Sequence, residues 1–106
     1  MGKKLGYATV EVLRAVRDGL GYGLDVMART GLPSGTVYPT LRRLERRGFV
    51  QARWEGDARA RQQGRPRRCY YRVTCAGRAA LDEALRAYRA LSETGPTGDA
   101  QPEEVR

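Results

Sequence analysis

The side chains with chemistry in this chain are mostly arginines and hydroxyls. They crowd into Ser34-Gly35-Thr36-Val37-Tyr38-Pro39-Thr40-Leu41-Arg42-Arg43-Leu44-Glu45-Arg46-Arg47. Val37, Leu41 and Leu44 recur at i, i+4, i+7, one apolar stripe of a helix. The outward arc then carries Gly35, Pro39, Arg42, Arg43 and Arg46, with Thr36 and Tyr38 on its shoulders. Ser34 has the chemistry of an N-cap and Gly48 that of a helix stop. Pro39 forfeits a hydrogen bond to Gly35, where the absence of a side chain leaves room for the proline ring. Small and hydroxyl residues at one end with arginines further along suit entry into a DNA groove. Taken alone, the stretch reads equally well as a solvated basic face.

The wider composition favours binding over bond-breaking. The 106 residues carry a net charge of +8, distributed unevenly. Residues 1–33 hold +2, residues 34–72 hold +8, residues 73–94 balance, and residues 95–106 hold −2. Charge concentrated in this way is the footprint of a polyanion partner. Eighteen of the twenty basic residues are Arg, able to fork onto phosphate or guanine edges, although coding-DNA composition also raises Arg. There is no histidine, hence no common general base, and the acids are scattered, so an enzyme reading has little to stand on. Cys69 and Cys75 read as reduced, partly buried residues; neither a metal site nor any cofactor is expected. No apolar run spans a bilayer and no signal segment leads the chain, which makes the cytoplasm the default location.

Several elements must position the stretch. Thr9 is a candidate cap for a first helix with Val10, Leu13 and Val16 inward and Gly19 at its end. A short second helix follows, from about Tyr22 to Arg29 with Leu24, Met27 and Ala28 inward. Thr30-Gly31-Leu32-Pro33 connects it to the basic helix, giving a helix-turn-helix. Phe49 to Trp54 and Cys69 to Val73 alternate as strands. Between them Glu55 to Arg68 is expected to be a flexible basic tip with Arg59, Arg61, Arg65, Arg67 and Arg68, the wing of a winged helix or else a disordered hydrophilic loop. Thr74 is a plausible cap for a last helix, Cys75 to about Thr94. Its apolar arc (Ala76, Ala80, Leu81, Ala84, Leu85, Ala87, Tyr88, Leu91) is wider than one small core needs, so Leu81, Ala84, Leu85, Tyr88 and Leu91 are expected to meet a second copy of the chain. The alternative is that the first helix covers the arc. The expected fold is mainly α with a small β-hairpin. Its parts are a winged helix-turn-helix over residues 1–73, a dimerisation helix over residues 74–94 and a disordered tail over residues 95–106.

One ordered set of motifs goes further. Gly21-Tyr22-Gly23-Leu24, Gly31-Leu32-Pro33-Ser34-Gly35-Thr36-Val37-Tyr38-Pro39, Trp54-Glu55, Gly64-Arg65-Pro66-Arg67-Arg68 and Tyr70-Tyr71-Arg72-Val73-Thr74 together resemble the PadR family of winged-helix transcriptional regulators. The resemblance covers residues 9 to about 92. It implies a homodimeric repressor on a roughly palindromic operator in double-stranded DNA. Ser34, Thr36, Tyr38 and Pro39 would lie at the major groove and flanking phosphates, Pro39 against a thymine methyl, with Arg42 or Arg43 forking onto guanine. Arg65 at the wing tip, flanked by Arg67 and Arg68, would reach a narrow minor groove. The segment from Asp57 to Gln63 is longer than the family's usual wing. Relatives that sense drugs or phenolic compounds ring a dimer cavity with aromatic residues; here the last helix offers only Tyr88, so a small-molecule effector is possible but doubtful. A ligand-sensing cavity between the last helices is kept as a refinement of the DNA-binding reading. A second class of reading remains, a winged helix that docks on another protein.

Overall fold

The computed structural model describes residues 5–94, so residues 1–4 and the tail expected to be disordered, residues 95–106, lie outside it. The chain runs α1 (Tyr7–Arg17), α2 (Gly23–Thr30), α3 (Ser34–Arg46), β1 (Val50–Trp54), α4 (Asp57–Gln62), β2 (Cys69–Val73) and α5 (Cys75–Thr94). It is mostly helical with one antiparallel hairpin, as expected, and α4 is an addition where a flexible tip was expected.

α1 buries Val10, Val12, Leu13, Ala15 and Val16. It ends at Gly19, whose φ of 98° lets the amides of Gly19 and Leu20 turn back to the Val16 and Ala15 carbonyls. Thr9 is not its cap: the helix already begins at Tyr7, entered through extended Gly6. α2 is short, and its buried residues are Gly23 and Val26. Leu24 and Ala28, expected inward, face solvent, and only Met27 packs on the core as expected. Two turns of helix carry too few residues for spacing to choose the face.

α3 is entered through extended Pro33, whose carbonyl accepts from the Thr36 and Val37 amides at 2.9 and 3.0 Å. Ser34 is therefore the first helical residue and makes no side-chain cap, contrary to expectation. The helix continues through Pro39 without a break. Gly35 is exposed and carries no side chain to crowd the proline ring at the turn where the hydrogen bond is missing. Val37, Thr40, Leu41 and Leu44 are its buried face. Gly48, at φ 79°, closes it by the same reversal as Gly19.

The hairpin pairs Val50 with Val73 through Trp54 with Cys69. A single bridge from Tyr22 to Tyr70, with the Tyr71 amide donating to the Gly21 carbonyl at 2.8 Å, ties the α1–α2 turn to β2. Val50, Ala52, Tyr71 and Val73 face inward; Gln51, Arg53, Tyr70 and Arg72 face out.

α5 begins as the sequence predicts: Thr74 Oγ1 accepts from the Gly77 amide at 3.0 Å, while its hydroxyl donates to the Gly48 carbonyl at 2.6 Å. Leu81 is fully buried in one core with Leu13, Leu41, Leu44, Val12, Val26, Val37 and Val50. Each such side chain contributes roughly 1.5–3 kcal/mol of hydrophobic stabilisation. Gly77 lies so close to the backbone of Phe49 that a β-carbon would collide with the Phe49 carbonyl oxygen. Gly77→Ala is expected to destabilise the chain by about 1–3 kcal/mol, as overpacking against a fixed backbone does; a thermal melt checks it.

Candidate nucleic-acid interface

α3 lies against the body through its apolar stripe and presents the opposite face to solvent. Ser34, Gly35, Arg42, Arg43 and Arg46 are exposed, and Thr36 and Pro39 are half-buried. No acid occupies the first turn of α3, so nothing in the helix neutralises its positive end. Arg43 donates from Nη2 to Thr40 Oγ1 at 3.2 Å, which holds its stem along the helix. Arg47 instead turns onto the Phe49 ring, 4.8 Å from its centroid. The structure thus brings Ser34, Thr36, Pro39, Arg42 and Arg43 onto one accessible surface.

Tyr38 sits differently. It is half-buried and packs on the core, and a β-carbon at Gly23 would run into its ring. Gly23 is the notch in α2 that receives Tyr38, so the residue is a wedge between α2 and α3 as well as a shoulder of the exposed face. Truncation to alanine would open that wedge; Tyr38→Phe is the clean probe of its hydroxyl.

The wing is built around one carboxylate. Glu55, its side chain only 4% exposed, accepts both prongs of Arg65, at 2.6 and 2.8 Å. It also accepts the Arg68 amide at 3.1 Å and lies 3.3 Å from Arg59. Arg67 donates from Nε to the Glu55 carbonyl at 2.8 Å, approaches Asp57 at 3.3 Å and lies 5.6 Å from the Trp54 ring centroid. Arg68 stacks over Tyr22 at 4.5 Å. The Arg65 guanidinium, expected at the minor groove, is 20% exposed and held by Glu55 in this chain without DNA. Arg59 and Arg67, 71% and 47% exposed, and the exposed Arg61 and Arg53 are the wing's outward cations.

Glu55 is the residue that sequence reasoning missed. The signal was present as a single acid beside Trp54 at the mouth of an arginine-rich segment, but nothing local says that the chain will fold back on it. The Arg65 guanidinium bonded to it holds its carboxyl well below the ordinary 4.5, at about 2, against the opposing pull of burial; the Arg68 amide adds to the lowering. A depressed carboxylate pKa contributes stability that is complete above 4.5 and is lost as pH falls towards 2. The emission of Trp54, the chain's one tryptophan, is expected to stay constant from neutral pH to about 4.5 and to change between about 4.5 and about 2.

Other groups play no visible part. Burial pushes the Tyr71 phenol up to about 12, with the neighbouring Cys69 thiol acting in the same direction, so it stays neutral under ordinary conditions. Cys69 is half-buried and Cys75 exposed, and both are free thiols. An open groove of about 940 Å³ along the hairpin is lined in part by Arg17, Glu45, Arg53, Tyr71, Arg72 and Arg78, a charged lining that suits water better than an apolar ligand. Among the described residues no cluster of ligands could hold a metal ion, and no helix is long and apolar enough to cross a membrane.

The sequence matches the model of the transcriptional regulator PadR-like family over residues 12–83, from inside α1 into α5. The chain belongs to the PadR-like family. No curated protein matches it. Among solved structures, a PadR family regulator from Clostridium difficile superposes with a TM-score of 0.72 at 22% identity, covering 83% of this chain and 93% of that one. A PadR family regulator from Eggerthella lenta gives 0.69 at 26%, covering 88% and 82%. BpsR of Bordetella bronchiseptica, described as regulated in its DNA binding by 6-hydroxynicotinic acid, gives 0.71 at 25%, covering 93% and 70%. In this PadR-like chain the matched span contains the exposed face of α3, the whole wing and the first half of α5.

Proposed function

We propose that this chain is a dimeric transcriptional regulator that binds a pseudo-palindromic operator, inserting the exposed face of α3 into the major groove and laying the wing along the neighbouring backbone. The observation that carries this is the coincidence of the charge maximum, +8 over residues 34–72, with an accessible helix face and a folded wing. In this reading Ser34, Gly35 and Thr36 meet phosphate oxygens at the positive end of α3, and Arg42 and Arg43 read base edges. Pro39 is a half-buried apolar neighbour to them. Of Arg65, Arg67 and Arg68, Arg67 is the most exposed and the one assigned to phosphate, beside Arg59 and Arg61, and Arg65 and Arg68 act mainly by shaping the wing.

Dimerisation is the second part of the reading. Leu81 is spent on the chain's own core, and Ala84 and Leu85 are half-covered by it. Tyr88 and Leu91 remain 41% and 60% exposed, with Tyr7 of α1 69% exposed, and the Tyr88 hydroxyl donates to the Leu5 carbonyl at 2.9 Å, tying α5 to the start of α1. These residues supply the apolar surface for a second copy. Action as a repressor, in the cytoplasm, is the role proposed for such a dimer. With Tyr88 as the one aromatic of α5, operator binding without any small-molecule effector is the default.

The test is a shift assay on the DNA upstream of the protein's own gene. A complex of two chains per site, much tighter than on a scrambled duplex, supports the proposal. Equal, weak binding to both duplexes would reject it in favour of general polyanion affinity.

A further inference from the structure

We infer that Glu55 is a positioning residue for nucleic-acid binding: buried beneath the wing, it folds the arginine-rich segment into a preformed surface that offers Arg59, Arg61 and Arg67 to the DNA backbone. This rests on the DNA-binding reading above and assigns a role to an acid that simple charge counting would score as a hindrance.

Five arginines lie within ten residues from Arg59 to Arg68, and like charges at such density repel and extend a chain. The structure nevertheless closes this segment at both ends. The Glu55 amide donates to the Arg68 carbonyl at 2.8 Å, and the Arg68 amide returns to Glu55 Oε1. Between them, Gly64 adopts φ 66°, and the amides of Gly64 and Arg65 turn back to the Arg61 and Ala60 carbonyls. That reversal ends α4 and aims Arg65 at the Glu55 carboxylate. Ala60 is 4% exposed, so α4 is docked and not merely tethered. The second acid, Asp57, has a side chain 69% exposed and cannot take the place of Glu55.

The consequence is energetic. Ordering each residue costs backbone entropy, and a wing that ordered only on contact would draw that cost from its DNA affinity. A carboxylate whose oxygens receive Arg65, Arg59 and an amide settles the cost before DNA arrives. Removing one partner of such a buried pair is worse than never having built it.

The experiment compares the whole chain with Glu55→Gln, a near-isosteric change that raises the net charge by one. Three readings are taken at a temperature well below the melt: affinity for upstream DNA across a salt series, Trp54 emission, and trypsin cleavage within residues 55–68. The expected result is affinity lower by about tenfold, a shallower salt slope by about one to two phosphate contacts, altered emission and faster wing cleavage, with helical content unchanged. Should the variant lose its helical signal, Glu55→Asp, which keeps the charge but shortens its reach, is read in the same way. Equal or tighter binding with an unchanged or steeper salt slope, as added positive charge alone would give, overturns the inference. So does a wing as protease-resistant as the wild type. A wild-type chain that binds no duplex would overturn the proposed function together with the DNA role of Glu55. Trp54 emission and cleavage would still decide whether Glu55 orders the wing.

Discussion

Arg42→Ala and Arg43→Ala are each expected to weaken operator binding by about fivefold to 150-fold, the ~1–3 kcal/mol of one good bidentate base contact. Neither is expected to disturb the fold. Both side chains are exposed, Arg42 makes no bond that the core relies on, and Arg43 gives up only a 3.2 Å contact with Thr40. Alanine is a strong helix former, so the thermal midpoint should hold to within about 0.5 kcal/mol of stability. Discrimination against a scrambled duplex should fall along with affinity, because these are the residues assigned to base edges. By contrast, loss of a phosphate-directed cation such as Arg67 should weaken specific and scrambled duplexes alike. Titration of labelled operator with each variant separates the two classes.

Leu41→Ala acts through the opposite face of the same helix. Leu41 is fully buried at the centre of the core shared by α1, α2, α3 and α5. Removing its three outer carbons should cost about 2–5 kcal/mol, transfer free energy plus the cavity left behind. A domain of this size has only about 5–15 kcal/mol to lose. The melting temperature should fall by about 4–8 °C for each kcal/mol. DNA binding by Leu41→Ala should recover on cooling or on adding operator, since the binding face is untouched. Arg43→Ala should show no such recovery. A melt followed by circular dichroism, with and without DNA, tests both statements.

How much of this was legible depended on whether a feature is local. The apolar stripe of α3 recurs across two turns within a helix of 13 residues, and the arc of α5 recurs across about four, so periodicity identified both helices. The Thr74 cap was legible because a hydroxyl three residues before Gly77 is a local geometry. Ser34 and Thr9 had the same chemistry but the wrong position. Extended Pro33 starts α3 one residue early, and α1 starts at Tyr7, which leaves both hydroxyl residues inside their helices. α2 was assigned the wrong inward face because the pocket that Val26 fills is made by other helices, and nothing within eight residues reports it. The wing was read as a flexible tip because Asp57-Ala58-Arg59-Ala60-Arg61-Gln62 has no apolar stripe. Its order comes from Glu55 meeting Arg65 ten positions away. The surface of α3 was legible in advance; the commitments of Arg65, Arg68 and Tyr38 were not, because each is fixed by a distant partner.

The most direct measurement is the salt dependence of wild-type binding to the DNA upstream of the gene, beside a scrambled duplex of equal length. If a dimer neutralises about six to ten phosphates, the logarithm of the affinity should fall against the logarithm of salt with a slope of roughly −5 to −9. The upstream duplex should stay well ahead of the scrambled one throughout. A slope near zero, or two duplexes that cannot be told apart at any salt concentration, would contradict a DNA-reading role for α3 and the wing.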